Sequence, residues 1–313
     1  MALVTSRAPL RISKRVSDAL SAGDPVVALE STVVTHGLPR PRNLEAARAV
    51  EAVVAAAGAV PATVGVIEGV LVVGLEPDEL THLASADAQK ASLWNLAAIA
   101  ARRADAGTTV ATTLHAAHMA GIDVFATGGI GGVHAAAFDE SADLEALASY
   151  PLVTVCAGPK NILDVAATLE RLESRGVAVV GYRSDTLAGF TVPLTDLPVP
   201  ARVDDPDQAA ALLLAQRSLG LRAGVLLSNP VSSGIAPELF EKARAEAERE
   251  AHAHGVSGAR STPFMLDALA RLSGGDTVAA NTRLLEENAT LAARVAAAVL
   301  RASRDAPELE SAL

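Results

Sequence analysis

Aromatic side chains are sparse: one Trp, two Tyr and five Phe among 313 residues. Extended stacking of bases or sugars on aromatic faces is thereby excluded as the main mode of recognition. Cysteine is rarer still. Cys156 stands alone, so no intrachain disulfide can form and a reducing compartment is expected. Positive charge is also short, with 26 basic against 36 acidic residues and a net charge of −10. Binding along a nucleic-acid backbone needs clustered Lys and Arg, so nucleic acid is excluded as a partner, whereas a small phosphorylated ligand needs only a few local donors. No long hydrophobic run occurs in the first 25 residues, where Arg7, Arg11, Lys14, Arg15, Asp18 and Asp24 intervene. Neither a signal peptide nor a membrane anchor is expected there, and the protein is expected to be cytoplasmic with no membrane partner.

Small apolar residues fill the space that aromatics leave. Half of the chain is hydrophobic, dominated by Ala and Val, which suits helices packed closely on a sheet buried on both faces. Val26–Leu29, Val64–Ile67, Val70–Val73, Asp123–Thr127, Val153–Ala157, Val177–Gly181 and Val225–Ser228 read as strands. Helices are predicted over 11–22, 43–57 with Asn43 as N-cap, 77–86, 91–104, to about Ala120, from Lys160 to about Ser174, and over 236–254, 263–272 and 277–302. Strands alternating with helices of ten or more residues predict an α/β fold with a largely parallel sheet. No linker divides the chain, so residues 1–313 are expected to form one domain, frayed over 1–10 and 303–313. Residues 183–207 read as a long irregular loop.

Lysine usage is the first chemical signal. Only Lys14, Lys90, Lys160 and Lys242 occur among the basic residues. Lys160 follows an entirely apolar strand and precedes a helix, a setting that lowers an ammonium pKa and frees an amine to attack an aldehyde. A solvent-facing strand-end lysine is the competing reading. Glu30 closes the strand before it and is a candidate general acid or base, or alternatively an edge carboxylate paired with Arg40 or Arg42. The glycine run from Thr127 to Gly132, with His134 behind it, could bring amide N–H groups to an anion, but it has the spacing of neither a dinucleotide fingerprint nor a P-loop. Asp139-Glu140-Ser141-Ala142-Asp143 suits a hard cation or, more simply, a helix N-terminus capped by Ser141. His36, His115 and His118 read as structural or surface residues, and Trp94 as core.

In order along residues 12–300, these segments resemble the pseudouridine-5′-phosphate glycosidases. The stretches are Ala28-Leu29-Glu30-Ser31-Thr32 with His36-Gly37, Gly58-Ala59-Val60-Pro61-Ala62-Thr63, Val124 to His134, Ser141-Ala142-Asp143-Leu144, Val155-Cys156-Ala157-Gly158, Lys160 with Ile162-Leu163-Asp164, Thr262-Pro263-Phe264 and Ala279-Ala280-Asn281. The resemblance implies an α/β/α sandwich with a largely parallel or mixed central sheet, usually assembled as a homotrimer. It implies that Lys160 forms a Schiff base with C1′ of ring-opened ribose 5-phosphate, that Glu30 moves protons, and that Asp139 holds Mn²⁺ (or Mg²⁺). Ser141, Ala142, Asp143, Lys90 and the backbone of Val110 match substrate-binding positions, and Thr127, His134 and Asn281 lie near the pocket.

Three departures bear on the aglycone. Leu93-Trp94-Asn95-Leu96 replaces a basic-acidic pair, Leu187-Ala188-Gly189-Phe190-Thr191 replaces a Phe-Pro-x-Phe-Tyr run, and the stretch from His134 to Asp139 is short. Lost polar partners for uracil favour a larger aromatic aglycone. The expectation therefore leans to a C-glycosynthase of the polyketide-modifying kind, with pseudouridine-5′-phosphate glycosidase as the alternative and a non-catalytic sugar-phosphate sensor as the remote one.

Overall fold

The computed structural model describes residues 10–134, 138–256 and 261–305. In chain order the first half runs β1 (Leu10–Ile12), α1 (Lys14–Ala22), β2 (Val26–Leu29), a π-helical turn (Val33–Gly37), α2 (Arg42–Ala56), β3 (Val60–Ile67), β4 (Val70–Val73), α3 (Pro77–Ser85), β5 (Gln89–Ala91), α4 (Leu93–Ala101), β6 (Ala106–Thr108), α5 (Val110–Ala120) and β7 (Val124–Ala126). The second half runs α6 (Ala142–Ser149), β8 (Val153–Cys156), α7 (Val165–Ser174), β9 (Ala178–Tyr182), β10 (Thr186–Gly189), β11 (Val192–Pro198), β12 (Ala201–Val203), α8 (Pro206–Ser218), β13 (Val225–Ser228), α9 (Pro237–Ala253), α10 (Ser261–Leu272) and α11 (Asp276–Asp305).

One central sheet takes the order β1-β4-β3-β2-β7-β8-β13-β9-β12, with β6 on β3 and β5 on β6. From β3 through β12 the neighbours are parallel, while β4 and β6 pair antiparallel with β3. The fold is therefore the mixed α/β sandwich that the resemblance implies. Every residue of β2, β8 and β13 is buried, as strands covered on both faces require. Alternate side chains supply two cores: Val26 and Ala28 join one cluster, Val27 and Leu29 the other. The 30-residue α11, about 45 Å long, lays Leu291, Ala292, Val295 and Val299 into the second core against β2, β7, β8, α2 and α8.

Four local expectations are corrected. Asn43 lies inside α2 and does not cap it: its buried amide donates to the carbonyls of Val34 (2.7 Å) and Ala84 (2.9 Å), which ties α2 to its neighbours. Residues 183–207 are not an irregular loop. They form the antiparallel hairpin β10–β11 and the edge strand β12, whose proline content confined them to positions off the central sheet path or at its edge. Trp94 is 84% exposed in the first turn of α4 instead of core. The frayed boundaries shift too, since Leu10 pairs with Leu71 and α11 stays helical to Asp305. Residues 1–9, 306–313 and 135–137, which make up most of the shortened stretch after His134, lie outside the described residues. Among the described residues no helix is long and apolar enough to cross a membrane.

Candidate active site

Because β2, β7 and β8 are parallel neighbours, the chain leaves all three at the same edge of the sheet. Such an edge is where open α/β sheets bind ligands. Glu30 follows β2, Thr127 follows β7 and Lys160 lies four residues beyond β8. The turn after Glu30 is braced from β6: the Thr108 N–H donates to Ser31 Oγ (3.0 Å) and Thr32 Oγ1 donates to the Thr108 carbonyl (2.7 Å). The π-helical turn then carries Thr35 and His36 away from the strand end, a distortion often found at functional sites.

Glu30 accepts a hydrogen bond from Thr127 Oγ1. Burial pushes its pKa up. The charges of Lys160 and Lys90 and the Thr127 bond pull it down, while Asp143 pushes it further up. Arg40, its possible ion-pair partner from sequence, instead donates to the carbonyls of Ala84 and Ala86. Lys90, on β5, has a pKa lowered first by burial and next by the charge of Lys160, with Asp143 and Glu30 opposing. The residue as a whole is exposed. Lys160 and Asp143 thus lie within charge–charge reach of both Glu30 and Lys90.

Lys160 stands a turn ahead of its helix instead of directly before it. Asp164 caps α7, and the Leu163 N–H donates to the Lys160 carbonyl (3.0 Å). Strand end and glycine run are laced together, with Lys160 N–H on the Ile130 carbonyl (3.0 Å), Ile130 N–H on Gly158 (3.2 Å) and Ala157 N–H on Gly128 (2.9 Å). The single thiol does not compete as nucleophile, because burial pushes Cys156 up to about 12 and keeps it protonated.

Part of the glycine run is a packing seam. Thr127, Ile130, Gly131 and Val133 already donate their N–H groups to protein acceptors. A Cβ on Gly129 would lie 2.6 Å from the Phe190 ring, and one on Gly131 would lie 2.3 Å from Ser141 Oγ. Close by, two helices begin. Ser141 caps α6, and Asp143, buried in its first turn, accepts from Ala111 N–H (3.0 Å) at the start of α5 and from Gly131 N–H (2.8 Å). Val110 is the first residue of α5 and Lys90 is in electrostatic reach of Asp143. Asp139 is half-buried and its carbonyl accepts from His134 N–H (2.9 Å), while Glu140 is committed to Arg171.

Beside these residues opens a cleft of about 350 Å³ whose walls include His36, Leu38, Asn161, Phe190, Leu269 and Asn281. Asn281 sits over Gly128, its Oδ1 3.5 Å from where a Cβ would stand. Sequence reasoning left His36 as a bystander. Its pKa is lowered by burial and then by the charge of Lys90, with Asp87 opposing, and it lines the cleft. It also passed over Asn288, fully buried in α11, whose amide donates to the carbonyls of Thr127 (2.9 Å) and Gly128 (3.4 Å). A lone polar residue amid the apolar stripe of Leu284, Leu285, Leu291 and Ala292 was the available signal. His115, by contrast, bonds the Tyr150 hydroxyl (2.9 Å) and is structural.

The model of the family described as indigoidine synthase A like protein matches residues 15–298. The chain belongs to this family. Its relatives include the pseudouridine-5′-phosphate glycosidase of Thermus thermophilus, 56% identical over 276 residues, covering 88% of this chain and 98% of that one. The glycosidase of Saccharopolyspora erythraea is 49% identical over 294 residues, covering 92% and 97%. Among solved structures, the prealnumycin C-glycosynthase in complex with ribulose 5-phosphate matches with a TM-score of 0.89 at 37% identity, over 96% of this chain and 100% of the other. This member of the indigoidine synthase A-like family is accordingly an enzyme of the pseudouridine-5′-phosphate glycosidase type, acting on C-glycosidic bonds.

Proposed function

We propose that the enzyme cleaves pseudouridine 5′-phosphate to uracil and ribose 5-phosphate through a Schiff base on Lys160. The observation that carries this reading is the convergence of Glu30 and Lys160 at one edge of the sheet, beyond the parallel strands β2 and β8, with Lys90 within charge–charge reach of both. A C–C glycosidic bond cannot be broken by protonating a leaving heteroatom, so the sugar carbon needs an electron sink. Opening of the ribose ring puts a proton on O4′ and the Lys160 amine on C1′. The nitrogen lone pair then expels C5 of uracil, which takes up a proton, and water hydrolyses the resulting iminium to ribose 5-phosphate. Glu30, held toward its neutral form by burial, is the proton carrier. Lys90, the Val110 amide, Ser141, Ala142 and Asp143 form the phosphate end, where two helix N-termini and a cation converge. The aglycone leaves toward Asn281 and the cleft, with His134 and Thr127 at its margin.

The divalent ion belongs to the same proposal. Among the described residues no three His, Cys, Asp or Glu side chains form a metal cluster. Asp139 alone fits only an ion that keeps waters and takes phosphate or sugar oxygens, as Mn²⁺ or Mg²⁺ does, and such an ion would supply charge neutralisation there. Assembly as a homotrimer is likewise proposed, with light scattering as its check.

The deciding experiment is incubation with pseudouridine 5′-phosphate and Mn²⁺, following uracil release. Borohydride reduction in the presence of ribose 5-phosphate should add the sugar mass to Lys160, and no adduct there removes the covalent mechanism. The sequence alone leaned to a C-glycosynthase. Leu93-Trp94-Asn95-Leu96 and the prealnumycin neighbour favour that second reading, but the glycosidase relatives at 56% and 49% identity outweigh it. Absence of uracil release together with C-ribosylation of an electron-rich naphthoquinone would reverse the order.

A further inference from the structure

The loop bearing Lys160 is fastened on two sides. One side is the backbone lacing to the glycine run. The other is Asn161, whose Nδ2 donates to Thr191 Oγ1 (2.8 Å) and to the Gly189 carbonyl (3.3 Å) at the turn of the β10–β11 hairpin. A carbonyl can only accept, so the amide nitrogen must face the hairpin. That turn is itself over-determined. Phe190 holds a left-handed backbone (φ 63), which is strained for a residue other than glycine. Its N–H donates to the Ala157 carbonyl (2.8 Å), and its buried ring covers Gly129. Thr191, also buried, accepts from Ile235 N–H through its carbonyl (2.8 Å), and Ser228 Oγ accepts from Ala188 N–H (2.9 Å). Strain of this kind persists only where its surroundings enforce it, and it gathers at functional sites. The turn therefore offers a rigid anchor to the residue next to Lys160, and Asn161, Phe190 and Thr191 all face the cleft.

We propose that Asn161 is a positioning residue: clamped by the Thr191 hydroxyl and the Gly189 carbonyl, it fixes the loop of Lys160 so that the amine meets C1′ of the opened sugar. The inference rests on the Schiff-base reading of Lys160. A nucleophile displaced by an ångström can lose about 100-fold in rate with little change in binding.

The test follows adduct formation between ribose 5-phosphate and Lys160 by borohydride quenching and mass spectrometry, in the wild type, Asn161→Ala, Thr191→Val, Thr191→Ser and the Asn161→Ala/Thr191→Val double variant. Asn161→Ala and Thr191→Val should each slow the adduct about 10- to 100-fold, with the half-saturating ribose 5-phosphate concentration and melting temperature near wild type. Thr191→Ser, which keeps the hydroxyl, should restore the rate. The double variant should be no slower than Asn161→Ala, because the bond that Thr191→Val removes is already absent from it. Wild-type adduct rates in both single variants, or losses that multiply in the double variant, would overturn the clamp alone. An adduct missing from the wild type would overturn the Schiff-base reading and the clamp with it. Should Asn161→Ala not fold, the near-isosteric Thr191→Val and its serine rescue decide.

Discussion

In the proposed mechanism, Lys160 and Glu30 divide the chemistry between an amine that bonds carbon and a carboxyl that carries protons. Lys160→Ala should abolish uracil release, by at least about 10³-fold, while leaving the melting temperature near wild type, because no core contact is lost. Glu30→Gln should slow release by about 10²- to 10⁴-fold yet still bind the sugar phosphate. Burial raises the Glu30 pKa above the ordinary carboxyl value, so its acid form persists to higher pH. Activity that needs this acid should fall as pH rises through the raised value, and a pH profile of kcat/KM for Glu30→Gln should lack that limb. In the same proposal, Lys90 contributes charge at the phosphate end. Lys90→Met should raise KM by about 10- to 100-fold, the worth of one charge-assisted hydrogen bond, with a smaller effect on kcat.

At the scale of elements, the site is a set of strand ends held in register by buried polar anchors. Asp143 joins three elements by accepting from Ala111 at the head of α5 and Gly131 in the glycine run while sitting in the first turn of α6. An asparagine there has one acceptor oxygen for two donors, so one N–H would face an NH₂ group. Asp143→Asn should cost about 1–3 kcal/mol, measured by urea denaturation, and should weaken sugar-phosphate binding. Asn288 plays the corresponding part from α11, against the backbone of Thr127 and Gly128, and its buried oxygen accepts from Asn229 Nδ2 (3.0 Å). The hairpin β10–β11 shows why such anchors escape a reading by periodicity. Its strands lie off the central sheet, its register is broken by bulges, and Pro193 and Pro198 mask the alternation.

At the scale of the whole molecule, two half-buried carboxyls with raised pKa values tie stability to pH. Glu51, like Glu30, is raised first by burial, with the bond from Thr63 Oγ1 (2.5 Å) opposing. A raised folded-state pKa means that the contribution is full below the unfolded carboxyl range and is lost as pH rises through the raised value. Glu51→Gln should therefore melt above the parent at about pH 8 and match it near about pH 4, a difference that calorimetry at the two pH values resolves. The sequence by itself determined the layers of this molecule and the types of its reacting groups. Runs such as Val153–Cys156 and Val225–Ser228 can be satisfied only as strands covered on both faces, and an apolar strand ending near one of four lysines marks itself. The tertiary structure alone decided which groups meet: Lys90 with Lys160, His36 with the cleft, Asn161 with Thr191, and Asn288 with the glycine run. Their partners lie 30 to 161 residues away in the chain or across separate elements, and local periodicity carries no record of distant contacts. Helix ends such as that of α7, and the commitment of the Thr127, Ile130 and Gly131 amides to protein acceptors, were fixed by the same packing.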